Sequence, residues 1–124
     1  MWRAVFVAFL IVHGLIHMGI WLIPKPTDPQ KAPFDPWHSW LAGDQRAIAQ
    51  AIAVTAALLF LAAGVGLIAH AGWWRPATVA AASVSLVLMA LYFHPWLILG
   101  IGLNAGLIAA ILWLDWPSKA LVGA

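Results

Sequence analysis

Apolar positions in this chain fall into four long runs, about residues 4–23, 46–69, 77–93 and 95–114, separated by segments rich in proline, glycine and charge. Each run is close to the ~20 residues that an α-helix needs to cross ~30 Å of hydrocarbon. Backbone groups inside a bilayer must be hydrogen-bonded within the protein, so such runs are expected to be helices. The predicted fold class is all-α: a four-helix transmembrane bundle forming one membrane domain over residues 1–124. The first run is too long for the apolar region of a secretory leader. "WLIPKPTDP" after it offers no small-x-small cleavage pattern, so it is read as a retained span.

The connections set the topology. The first loop, "PKPTDPQKAPFDPWHSWLAGDQ", holds five of the eight prolines and cannot be one continuous helix. Within it "DPWHSWLAG" predicts a short interfacial helix, with Asp35 as N-cap, Pro36 at the first helical position and Gly43 closing it. Trp37, Trp40 and Leu41 would then share one face at headgroup depth. At "YFHPW" the residue before Pro95 is driven out of the helical region, while the proline starts the next helix comfortably. One side of the membrane, side A, thus holds the N-terminus, "AGWWRP" and "DWPSKALVGA"; side B holds the long loop and the "HP" junction. All nine tryptophans fall at predicted helix ends or in loops, where amphipathic indoles collect.

Charge adds little to this. Only 8% of residues are charged, 65% are hydrophobic, and mean hydropathy is +0.95. Arg3, Arg75 and Lys119 lie on side A against Lys25, Lys31 and Arg46 on side B, so the positive-inside rule ties. The acidic, proline-rich loop and the terminal amine point to side A, with both termini, as the cytoplasmic one. The basic residues flank apolar runs and form no patch for a nucleic acid. Cysteine is absent, which excludes thiolate chemistry.

The run "IVHGLIHMGIW" poses the chemical question. His13 and His17 are four apart, hence on one helix face, and ionisable residues inside a span ordinarily face the bundle interior. At 1.5 Å per residue His13 lies roughly 15 Å from the side B end and His17 roughly 9 Å. Asn104 lies roughly 13 Å deep, Gln50 roughly 7 Å and Thr55 roughly 15 Å, with Ser83 and Ser85 at comparable depth. Every span therefore brings polar groups to one layer, although Gln50 and Thr55 cannot both point at one spot. Two readings stay open for His13, His17, Gln50, Thr55, Ser85 and Asn104. They satisfy one another as a hydrogen-bonded clasp, worth about 1 kcal/mol per bond. Alternatively, they line a small polar cavity, open to side B, that binds a headgroup, a quinone or another amphiphile, or passes protons. His38, His70 and His94 fall at the interface and carry no special signal.

Because lipid is as apolar as leucine, helix association depends on close packing of small residues. Candidate rows are Gly102, Gly106 and Ala110 in the fourth span, Ala62 and Gly66 in the second, and Ala81 and Ser85 in the third. They would equally serve a homodimer contact or a larger membrane complex.

No Asp or Glu falls within a span, so the carboxylate of proton-coupled pumps is missing. Ser83 and Ser85 have no acid to complete a triad, and no phosphate-binding glycine loop follows a strand. The chain is therefore expected to be no enzyme, and no cofactor is expected. Haem or a metal at His13 and His17 would need further ligands, since one helix face cannot supply both axial positions of one iron. The functional expectation is a non-catalytic binding or accessory subunit; the alternatives are a small dimeric transporter and a haem- or metal-binding electron-transfer subunit.

"VHGLIHMG", "GVGLIAHAGWWRP" and "SLVLMALYFHPW" before an Asn-containing last span resemble a group of small four-helix membrane proteins of actinobacteria and other bacteria. Their first helix similarly opens with His-Gly-x-x-His, matched here by His13, Gly14 and His17. Met18 stands where that group would have leucine. The resemblance implies the four-span architecture and a place in the bacterial inner membrane; it carries no activity.

Overall fold

A computed structural model describes residues 1–22 and 46–124. Among them the structure is all-helical, with no strand. Helix α1 spans Trp2–Trp21, α2 Arg46–Ile68, α3 Trp74–Leu91 and α4 Ile98–Trp113, with a 3-10 turn at Pro95–Leu97 and a short α5 at Lys119–Val122. Four segments are long and apolar enough to cross a membrane, with mean hydropathies of 2.0, 2.5, 1.4 and 2.0 in chain order, the last counted from Pro95. The proline-rich loop, including the predicted Asp35–Gly43 helix, lies outside the described residues.

Local chemistry sets the boundaries. Helix α3 begins three residues before the expected start, because Pro76 falls in its first turn, where a missing N–H leaves no helical bond unmade. His94 is extended (φ −142°, ψ 142°), as a residue before proline prefers, and its Nδ1 accepts the Trp96 N–H at 3.2 Å. That closes the tight α3–α4 junction expected from "YFHPW".

Sequential helices pack side by side, α1 on α2, α2 on α3 and α3 on α4, and α5 folds back against α1. Backbones approach closely between α1 and α2. A Cβ on Gly14 would stand 2.9 Å from Phe60 Cβ, and one on Gly64 would stand 2.9 Å from the Ile11 side chain. Ala49, Ala53, Ala56, Ala57 and Ala63 are fully buried along the same helix. Small residues thus bring these two helices together, as bilayer packing requires.

The rows expected to do this work are only partly used. Ala81 and Ser85 are buried in α3, but Ala62 is half-buried and Gly66 lies under the Trp73 ring instead of a helix. In α4 the expectation fails. A Cβ on Gly102 or Gly106 would meet nothing within 4 Å, and Ala110 is half-buried. Helix α4 leans on α3, and Gly102 and Gly106 look into an open groove beside α1. Two of the helix-end tryptophans do more than mark the membrane rim. Trp21 and Trp74 stand at helix ends but are buried inside the bundle, Trp21 edge-on to Tyr92 with ring centroids 5.7 Å apart. Indoles fill the two ends of the core as well as its rim.

Side A is tied by polar contacts. Arg75 pairs with Asp115 at 3.1 Å, donates to the Pro117 carbonyl and lies over the Trp74 ring. His70, with φ of 55°, donates from Nδ1 to the Gly123 carbonyl at 2.9 Å and receives the Arg3 guanidinium on its other nitrogen. Gly123 closes α5 with a left-handed φ of 77°, a conformation that costs glycine nothing. The interfacial His70, which carried no signal in the sequence, is thus a joint between α1, the α2–α3 turn and the tail.

Two apolar clusters form the core. One gathers Phe6, Leu10, Phe60, Leu67, Trp74 and Val122 toward side A. The other gathers Trp21, Ala53, Leu88, Met89, Tyr92 and Leu97 toward side B. His13, His17, Ser85 and Asn104, buried polar side chains of the spans, lie between them, while the buried Thr78 sits by the side A cluster, bonded to the Trp74 carbonyl of its own helix.

Candidate functional site

The inner face of α1 carries Phe6, Leu10, His13, Gly14, His17 and Trp21, a helical repeat that turns both imidazoles inward. His13 is 6% exposed and His17 3%. Gly14 admits Phe60 of α2 close to the backbone, so the phenyl ring packs edge-on against His13 at 4.7 Å and tilted against His17 at 5.6 Å. On its other side His13 stacks with Phe9 at 5.5 Å. The rings are thereby held among aromatics and point across the bundle to α3 and α4.

Four side chains from three helices meet there. His13 Nε2 lies 3.3 Å from Asn104 Oδ1, and His17 Nε2 lies 2.6 Å from Ser85 Oγ. Asn104 Nδ2 reaches Ser85 Oγ at 3.0 Å and the Gly100 carbonyl at 2.8 Å. His17 Nδ1 lies 2.9 Å from the carbonyl of His13.

Two backbone carbonyls fix the direction of every bond, because a carbonyl only accepts. Gly100 holds the amide nitrogen of Asn104, so Asn104 Oδ1 faces His13, and His13 Nε2 carries the proton. The His13 carbonyl takes the Nδ1–H of His17, so His17 Nε2 is an acceptor and the Ser85 hydroxyl donates to it. Ser85 Oγ in turn accepts from Asn104. The pattern closes with His17 neutral and every hydrogen it places on the four side chains used; a second proton on His13 would be an unpaired charge at membrane depth, so His13 is neutral as well. The pattern leaves His13 Nδ1 with no hydrogen-bond partner among the described residues.

Beside this network lies a cavity of about 200 Å³ whose lining includes His13, His17, Trp21, Met89, Trp96 and Gly100. A larger groove of about 380 Å³ runs from it toward side A between α1 and α4, lined by Phe6, Phe9, Gly102, Gly106, Ala110 and Trp116 among others. Leu103 lines both, and the Phe9–His13 stack joins them.

Of the sequence-predicted residues, the structure brings His13, His17, Ser85 and Asn104 together. Thr55 departs from the expectation. It is exposed and spends its hydroxyl on the Ala51 carbonyl of its own helix at 2.8 Å, because the α2 face turned inward is the alanine column. Gln50 is half-buried and takes no part in the network. Ser83 likewise turns outward, bonded to the Val79 carbonyl. Phe9, Phe60, Met89 and Trp96 were missed by sequence reasoning. The i−4 spacing of Phe9 to His13 was the one signal that could have found any of them.

For a metal, the site presents one open imidazole nitrogen, His13 Nδ1, since both nitrogens of His17 are engaged. Among the described residues no three His, Cys, Asp or Glu side chains converge. The arrangement offers one hydrogen-bond acceptor, His13 Nδ1, in an aromatic setting. Comparison with protein-family models, with curated proteins and with solved structures finds no match to this chain.

Proposed function

We propose that this chain is an integral, multi-pass protein of the bacterial inner membrane, with both termini on the cytoplasmic side. It acts as a non-catalytic binding or accessory subunit whose His13–His17 cavity receives the polar end of an amphiphile drawn from the bilayer. The observation that carries this reading is a cavity of about 200 Å³ at membrane depth, lined by two buried imidazoles and bordered by an apolar groove. A network serving only to clasp helices has no need of open space beside it. Ionisable residues at this depth are costly, and ordinarily mark binding or transport paths.

The test is extraction in mild detergent followed by mass spectrometry of what co-purifies. The wild-type protein should retain an amphiphile at close to one per chain, and His13→Leu, checked for helix content by circular dichroism, should lose it. Identical lipid content in the two proteins would refute the reading.

A further inference from the structure

Building on that reading, we infer that the occupant is a lipid alcohol, whose hydroxyl donates to His13 Nδ1 while its hydrocarbon chain lies in the α1–α4 groove along Gly102 and Gly106. The inference rests on a hydrogen count. His13 Nε2–H, His17 Nδ1–H, the Ser85 hydroxyl and both Asn104 N–H groups are already spent on one another or on the His13 and Gly100 carbonyls. The four-residue network has no donor left to give, and its open position is an acceptor, His13 Nδ1, on a ring that is 6% exposed; the other donors on the cavity lining are the indole N–H groups of Trp21 and Trp96. A carbonyl or quinone oxygen brought to His13 Nδ1 would leave that nitrogen unpaired, whereas a hydroxyl donates to it.

Charge narrows the choice further. An ammonium also donates, but among the described residues the cavity lining contains no carboxylate, and an unpaired charge at this depth is expensive. A neutral hydroxyl satisfies the nitrogen without that cost. The groove then accounts for the rest of the molecule. It meets the cavity at Leu103 and at the Phe9–His13 stack, so a chain attached to a carbon at His13 continues into it. Gly102 and Gly106 leave room that a side chain would take, since nothing lies within 4 Å of a Cβ at either position.

The experiment titrates the full chain in detergent with hexadecan-1-ol, its methyl ether and hexadecanal, read by native mass spectrometry and by the 15N resonance of His13 Nδ1. The alcohol should bind about three- to tenfold tighter than the ether or the aldehyde, the worth of one net hydrogen bond. Only the alcohol should shift the Nδ1 resonance, and His13→Phe should abolish the preference. Gly106→Leu should weaken hexadecan-1-ol while leaving octan-1-ol unchanged. Equal binding of alcohol and ether would overturn the inference but leave an amphiphile site standing, and tighter binding of the aldehyde would do the same. No binding by any of the three would overturn both. A dimer cross-linked through position 106 and undisturbed by the alcohol would give the groove to a second copy and overturn the chain's placement.

Discussion

Gly14 and Phe60 meet so closely that a methyl group on Gly14 would lie 2.9 Å from Phe60 Cβ and 3.1 Å from the Ala57 carbonyl oxygen. This contact between α1 and α2 places the phenyl ring against both imidazoles. Packing of two helices and orientation of the polar site are therefore one arrangement.

Gly14→Ala should destabilise the protein by about 1–3 kcal/mol, as overpacking of a rigid contact does. Gly102→Ala, whose new methyl group has open space, should change stability by less than about 0.5 kcal/mol. Thermal unfolding of the two variants in the same detergent measures the contrast. Equal losses would show that the α1–α2 contact is not tight.

Asn104 is the only buried side chain of α4, and it bridges His13 to Ser85. Asn104→Leu should cost about 1–3 kcal/mol, because it leaves the His13 Nε2–H unpaired in an apolar interior. Ser85→Ala should cost about 1 kcal/mol. The double variant should lose less than the sum of the two, since both single changes remove the same Asn104–Ser85 bond. Additive losses in an unfolding cycle would mean that the groups act independently.

At side A, Asp115 is 85% exposed and its partner Arg75 16%. An ion pair so open to water contributes under about 1 kcal/mol and fades with salt. Asp115→Asn should therefore shift the melting temperature slightly at low salt and not at all at high salt. Arg75→Leu also removes the bond to the Pro117 carbonyl, and should speed amide exchange at Leu121, Val122 and Gly123 beyond anything seen in Asp115→Asn. Matching exchange in the two variants would assign the tail's order to other contacts.

Helix positions were legible in the sequence because hydrocarbon imposes a length and forbids unpaired backbone. The four runs reappear within a few residues of their expected ends, and the His94–Pro95 junction turns where proline sterics require. The meeting of His13, His17, Ser85 and Asn104 followed from depth along antiparallel helices. Rotation about each helix axis was harder to read. Thr55 and Ser83 share that depth but look outward, since within an apolar helix a serine or threonine can bond its own backbone and needs no partner elsewhere. Composition alone could not distinguish glycines that pack from glycines that leave a gap, so Gly102 and Gly106 looked like a helix contact. The fold-back of the tail onto Arg3 and His70 left no periodic trace at all.

The lone buried asparagine of α4 has a mechanical consequence. A helix seated by a broad apolar interface gives up its energy gradually as it slides, whereas a directional bond is lost within a fraction of an ångström. With Ile101, Leu107, Ile108 and Ile111 only partly buried against the core, α4 should behave more as a latch than as a zipper, resisting small displacements stiffly and swinging more easily once released. The wall of the bundle that flanks the imidazoles should thus also be its most readily opened edge.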